Sequence, residues 1–197
     1  MLNVYLLRHG ETPYNADGNR YCGRTDIELT AKGLKQAESV YQRLKTVHLD
    51  AVYSSPLVRA AKTAALASGW EKVQTDQRLI EVDFGSWEKK TREEFVAEDP
   101  QSWAAWDRDP EHARAGNTGE TAGEVVKRLD AFFAEMLTKH AAQTILVAGH
   151  NGTNRLYMAY KLGMPLRNYR RLFQENSAIT LFELDDNGEF TLKKLNA

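Results

Sequence analysis

Only one cysteine, Cys22, occurs among the 197 residues. An internal disulfide and a cysteine-based zinc site are therefore both excluded, and a reducing compartment fits best. Long apolar runs are absent as well. The N-terminal stretch Leu2 to Leu7 stops at Arg8, far short of the roughly 20 residues of a membrane span and too short for a signal-peptide core. The expectation is a soluble, cytoplasmic protein with no membrane partner, in which the sequon Asn151-Gly152-Thr153 carries no glycan. Charge of one sign is lacking too: 26 basic residues against 27 acidic ones leave a net charge of −1, which argues against a general nucleic-acid binder. Repeats, low-complexity tracts and linkers are missing. What remains is 42% hydrophobic sequence, enough for an ordinary core and, at this length, for a single domain over residues 1–197.

The apolar pattern alternates between two periods. Leu2 to Leu7 reads as a buried strand feeding a long loop from Arg8 to about Leu29. Thr30 is placed to cap a helix whose apolar positions Leu34, Ala37, Tyr41, Leu44 and Val47 recur at helical spacing. Ala51-Val52-Tyr53 reads as a second strand, followed by a helix starting at Pro56 and running to Ala67. Thr121 opens the clearest amphipathic helix, through Val125, Leu129, Phe132, Phe133, Met136 and Leu137, and Thr144 to Ala148 reads as another buried strand. Gly149 to Leu162 is a turn and helix, and Asp186-Asn187-Gly188 between two β-rich runs signals a closing hairpin. This rhythm predicts an α/β fold: a three-layer sandwich with a mostly parallel central sheet and an antiparallel C-terminal edge. The segment from about 88 to 117, with Trp103, Trp106, Pro100 and Pro110 among many charges, is expected to form a helical, lid-like insertion.

Chemistry concentrates where strands end. Arg8 and His9 follow the first strand, His150 follows the strand ending at Ala148, and Arg59 lies early in the helix after the second strand. In a parallel sheet these C-terminal ends share one edge, the usual place for ligands in open α/β sheets. Histidine at such a place serves as nucleophile, base or metal ligand. For metal the sequence offers little, since no two of His9, His48, His112, His140 and His150 stand four apart and no acid cluster lies near them. Two arginines and two histidines on one edge instead suit a tetrahedral dianion, because guanidinium forks grip phosphate oxygens at two points. Asn15 and the amides around Gly10 are candidates to complete the cradle.

These residues sit in five ordered blocks. LLRHGET with Asn15, GRTDIELTAKGLKQA with Ser54 to Ala60, Glu81 to Glu88, Gly119-Glu120-Thr121 and Ala148-Gly149-His150 together span most of the chain, and the sequence resembles the histidine phosphatase superfamily, the group that includes the cofactor-dependent phosphoglycerate mutases. The resemblance implies a phosphomonoesterase that works without metal or cofactor on a small phosphorylated metabolite through a phosphohistidine. It implies that His9 accepts the phosphoryl group, that Arg8, Arg59 and His150 bind it with help from Asn15, and that Glu81 is the general acid. Asp83 is the rival acid, sharing a face with Glu81 in an extended segment. Arg20, Cys22, Gly23 and Asn151 are the further candidates for substrate contacts. Phe84-Gly85-Ser86-Trp87 after the acid looks phosphatase-like rather than mutase-like. A mutase and a non-catalytic phosphate- or protein-binding module are the alternatives.

Two positions depart from the family pattern, in which glycine is common: Asn151 after the second histidine and Lys89 after Trp87-Glu88. Asparagine tolerates unusual backbone angles there, and its side chain enters the pocket rim. Trp87 and Trp103 are expected to pack, and Lys89-Lys90 and Arg170-Arg171 to be solvated. The insertion carries Glu98, Asp99, Asp107, Asp109 and Glu111 against Arg108. An insertion facing the substrate with these acids favours a single phosphoryl group on a small, moderately polar body, with Arg20 and Arg24 the residues placed to meet a second anion. The physiological substrate and the oligomeric state, a homodimer among the options, are not legible in the sequence.

Overall fold

The computed structural model describes residues 1–197. Six strands form one sheet: β1 (Leu2–Arg8), β2 (Ala51–Ser54), β3 (Gln74–Thr75), β4 (Thr144–Gly149), β5 (Ile179–Leu184) and β6 (Phe190–Lys194), in the order β3-β2-β4-β1-β5-β6. The first four are mutually parallel, while β5 runs antiparallel to β1 and β6 antiparallel to β5. The mostly parallel sheet with an antiparallel C-terminal edge is thus as expected, and the two-residue β3 is the one strand the apolar pattern did not announce.

Helices cover both faces. On one side α2 (Ala31–Leu44) and α3 (Val58–Ser68) pack through Val40, Leu44, Ala64 and Ala67 against Leu7, Val52 and Leu146. On the other, α6 (Ala122–Lys139) and α7 (Asn151–Lys161) bury Leu129, Phe133 and Tyr157 against Val4, Leu6 and Val147. Thr30 caps α2 through its side chain, as read from the sequence, and Thr121 caps α6 in the same way. The buried stripe of α2 is Gly33, Ala37, Val40 and Leu44, whereas Tyr41 is exposed and Val47 lies beyond the helix. Pro56 precedes α3 instead of starting it. The first amide of α3, at Val58, is capped by Asp26 Oδ1 at 2.8 Å, reaching across from the first loop. That loop also holds a four-residue helix, α1 (Pro13–Ala16), closed by Thr12 and Asn15.

The segment 88–117 contains α4 (Arg92–Glu98) and α5 (Pro100–Arg108). It is no free flap: Phe95 and Trp106 are fully buried beside Trp87, in the same core as α6 and α7. Trp87 stacks on Phe95 with ring centroids 4.6 Å apart, so its role is packing, as expected. No helix is long and apolar enough to cross a membrane.

Candidate active site

The register of two neighbouring strands builds the site. In the parallel pair β1 and β4, Arg8 lies opposite Gly149, so the next residue of each strand, His9 and His150, leaves the sheet side by side. Their rings meet edge to face with centroids 5.2 Å apart. His9 Nδ1 is 2.7 Å from the carbonyl oxygen of Gly10. A carbonyl only accepts, so Nδ1 carries the proton and Nε2 keeps its lone pair. Burial, followed by the positive charges of Arg59 and Arg8, holds the His9 imidazole well below its ordinary proton affinity. His150 is depressed in the same way, by burial first and then by Arg59 and His9, and neither of its ring nitrogens has a partner. Both imidazoles are neutral near pH 7, and the arginines supply the positive charge.

Those arginines are held by carbonyl oxygens. Arg8 donates from Nη1 to Gln174 O at 2.6 Å, and its Nε is buried without a partner. Burial lowers its pKa to about 10, against the pull of Glu81, so it stays protonated at neutral pH. Arg59 donates to Thr25 O at 2.8 Å, Gly23 O at 3.0 Å and Cys22 O at 3.1 Å, and again Nε is buried and unpartnered. Its fork therefore fastens the first loop and leaves part of the guanidinium for a ligand.

Glu81 is 4% exposed and sits against the start of α7. Oε1 accepts from Val82 N at 2.9 Å and Thr153 N at 3.0 Å, while Oε2 accepts only from Gly152 N, at 3.0 Å. Amides that a helix N-terminus leaves free thus orient the carboxyl. A side chain at Gly152 would put its Cβ 2.7 Å from Glu81 Oε1, which is why glycine stands there. Asp83 points elsewhere, its Oδ1 accepting from Gly85 N at 2.9 Å, because the chain turns after Phe84 and does not continue as a strand. Asn15 presents its amide in a fixed sense. Its Oδ1 accepts from Thr12 N, Thr12 Oγ1 and Asn176 Nδ2, all at 3.1 Å, leaving its NH2 free.

A cleft of about 260 Å³ opens over these groups. Arg8, His9, Asn15, Arg20, Cys22, Glu81 and Asn151 line it, while Arg59 and His150 are fully buried in the floor beneath. Several expectations need correction. Gly23 does not reach the wall: its amide donates to Glu88, its carbonyl holds Arg59, and a Cβ would lie 2.3 Å from Val82 O. The Gly10 amide is taken by Thr63 Oγ1 at 3.0 Å and adds nothing to the cradle. Asn151 needs no unusual backbone angle, being the first residue of α7, although its side chain does enter the wall. The acids of the insertion do not face the cleft, and Arg20 and Arg24 are paired with Asp17, Glu94 and Glu120. The outer wall is instead Arg155, Tyr169, Arg170, Phe173 and Gln174. Arg170 is thus a cleft residue rather than solvated surface. Arg155 had a readable signal, four residues after Asn151 on one helix face, whereas nothing periodic marks 169–176.

The family model for the histidine phosphatase superfamily, branch 1, matches residues 4–197. The chain belongs to this superfamily. Phosphoserine phosphatase 1 of Hydrogenobacter thermophilus is 32% identical over 98% of this chain and 92% of its own length. The adenosylcobalamin/alpha-ribazole phosphatase of Escherichia coli is 36% identical over 83% and 81%. The crystal structure of a histidine-to-alanine mutant of Entamoeba histolytica phosphoserine phosphatase in complex with phosphoserine superposes with a TM-score of 0.91 at 29% identity, covering 100% of this chain and 98% of the other. As a member of the superfamily the protein is a phosphoric monoester hydrolase, and its α/β sheet is that of its relatives.

Proposed function

We propose that His9 takes the phosphoryl group of a small metabolite and hands it to water. The observation that carries this reading is the fixed tautomer of His9: Nδ1 is tied to Gly10 O, so a neutral Nε2 with a free lone pair stands in a cleft ringed by arginines. The lone pair attacks phosphorus as the ester P–O bond breaks, and charge on the equatorial oxygens is met by Arg8, Arg59 and the Asn15 amide. His150, held neutral by burial, gains an anionic neighbour when a phosphoryl group binds and is then favoured as imidazolium. The leaving oxygen takes the proton of Glu81. Oε1 already accepts two amides while Oε2 accepts one, so Oε2 is the oxygen with room for that proton. Water then attacks phosphorus, Glu81 recovers a proton from it, and the P–N bond breaks to release inorganic phosphate and neutral His9.

The test has two arms. Quenched reaction with labelled substrate should trap an acid-labile phosphoenzyme that is lost in His9→Ala, with inorganic phosphate rather than an isomer as product, in excess chelator as in its absence. Glu81→Gln should slow phosphoenzyme formation from an alkyl phosphate by about 10²- to 10⁴-fold and from a nitrophenyl ester far less, because a weakly basic leaving group needs little proton donation. Undiminished turnover in His9→Ala would refute the nucleophile, and equal losses on both esters would move the acid role away from Glu81.

A further inference from the structure

Of the five sequence blocks, Gly119-Glu120-Thr121 alone supplies no group to the cleft or its floor. Thr121 caps α6. The contacts of the other two residues lie on the segment that carries Glu81. Residues 80–84 belong to no strand or helix, so no ladder satisfies their backbone groups, and other partners must. Arg128, on α6, donates from Nη1 to Arg78 O at 2.6 Å and from Nη2 to Glu81 O at 3.3 Å. Glu120 Oε2 accepts from Asp83 N at 2.9 Å, and Glu120 N donates to Asp83 O at 3.0 Å. Glycine at 119 permits this approach, since a Cβ there would lie 2.1 Å from Asp83 O.

The two side chains also fix each other. Arg128 Nε donates to Glu120 Oε1 at 3.0 Å and Nη2 to Oε2 at 3.1 Å, the two-point contact that sets the orientation of both groups. Their side chains are only 16% and 19% exposed, which sets the pair apart from weak ion pairs in open solvent. Arg24 Nη2 reaches the same Oε2 at 2.9 Å, from the loop whose Cys22, Gly23 and Thr25 carbonyls hold Arg59. One carboxylate therefore joins the loop fastened to Arg59 to the segment of Glu81.

The amides of Val82, Gly152 and Thr153 fix the carboxyl end of Glu81, and the pair of Glu120 and Arg128 fixes its backbone end. Proton donation needs both, because misplacing a reacting group by about 1 Å can cost 10²-fold in rate. We propose that Glu120 and Arg128 are positioning residues for the general acid: neither lines the cleft, and together they hold the Glu81 backbone so that Oε2 meets the departing oxygen. This rests on the reading of Glu81 as the acid.

Leaving-group dependence separates positioning from a general weakening of the fold. Single-turnover phosphoenzyme formation is measured with glycerol 3-phosphate, an alkyl ester, and with p-nitrophenyl phosphate. The proteins are the wild type, Glu81→Gln, Glu120→Gln and Arg128→Met, and the last two changes each combined with Glu81→Gln. Glu120→Gln keeps one oxygen for the Asp83 amide and loses the two-point grip on Arg128, while Arg128→Met keeps the apolar stem and loses every donor. Each should slow the alkyl ester about 10- to 100-fold and the nitrophenyl ester less than about threefold, with Arg128→Lys in between. On the Glu81→Gln background the same changes should cost less than about threefold on either ester, because no acid is left to position. The nearly isosteric Glu120→Gln decides if Arg128→Met does not fold. Equal losses on both esters, or losses that multiply with that of Glu81→Gln, would show a structural role and overturn the proposal. Should Glu81→Gln itself slow both esters equally, the acid assignment fails and the proposal with it. Should Glu81→Gln alone discriminate between the esters, the acid stands and the proposal fails.

Discussion

Floor and mouth of the cleft both rest on arginines, and they hold them by different means. Arg8 and Arg59 are buried and fixed by backbone carbonyls, from Gln174 in one case and from Cys22, Gly23 and Thr25 in the other. Carbonyl oxygens orient a guanidinium without cancelling its charge, so the field reaching His9 stays positive. Arg155 and Arg170 lie half-buried against aromatic rings, which fix a plane but leave position adjustable. The floor is thus a rigid charge frame, and the mouth is the part that different substrates can retune. Substitutions should separate the two: floor changes should remove catalysis, while mouth changes should shift specificity.

The largest effect along this divide is expected at Arg59. In Arg59→Lys the charge survives, but one ammonium cannot satisfy three carbonyls and keep a donor for the phosphoryl group. We expect kcat for a nitrophenyl ester to fall about 10²-fold, the usual scale for losing one well-placed donor, and thermal stability to fall with it as loop carbonyls lose their partner. The corresponding change at the mouth, Arg170→Lys, should alter the choice among substrates far more than the rate on the nitrophenyl ester. Comparable rate losses at both positions would erase the distinction between frame and mouth.

A smaller effect follows from the two buried imidazoles. Both have depressed proton affinity in the folded chain, whereas in the unfolded chain they protonate near pH 6.5. Unfolding therefore takes up protons, and stability falls as pH drops below about 6.5, continuing down toward the folded-state values. Each histidine should contribute roughly 1 kcal/mol of loss per pH unit in that window. Urea unfolding at about pH 7.5 and pH 5.5 measures this. The wild type should lose more than the double variant His9→Gln, His150→Gln, and parallel losses in the two proteins would mean that the floor does not hold the histidines neutral.

The same contrast explains what the sequence disclosed. Floor residues stand at the ends of strands with strong apolar signals, and parallel topology carries strand ends to a common edge, so Arg8, His9 and His150 were legible from position and Arg59 from the helix that follows. Glu81 rested on resemblance, since nothing periodic places it and its orientation comes from the amides of Gly152 and Thr153, about seventy residues away. Tyr169, Arg170 and Gln174 were not legible. They sit on a short 3-10 segment and the stretch after it, where no period marks which side chains face inward. The acids of 88–117 misled for a related reason: composition shows that a segment is charged but not which way it faces, and here its aromatic residues point into the core while its acids point out.

The smallest expected effect concerns Lys89, which stands where relatives commonly have glycine and has φ of 69°. That left-handed conformation costs a residue with a side chain about 1–2 kcal/mol, and glycine adopts it freely at some entropic cost to folding. The turn is nonetheless kept, because the Lys89 amide donates to Tyr21 O at 2.8 Å and its carbonyl accepts from Arg20 Nη1 at 3.1 Å. Both bonds belong to the backbone and survive substitution. Lys89→Gly should therefore stabilise the protein by about 0.5–1 kcal/mol, seen as a rise of roughly 1–4 °C in Tm, while Lys89→Ala should gain nothing. Arg20 is held by two carboxylates, those of Asp17 and Glu94. Its charge is already answered, so releasing strain beneath it should leave kcat/KM for a nitrophenyl ester where it was. A change in kcat/KM would mean that Arg20, which lines the cleft, takes part in holding the substrate.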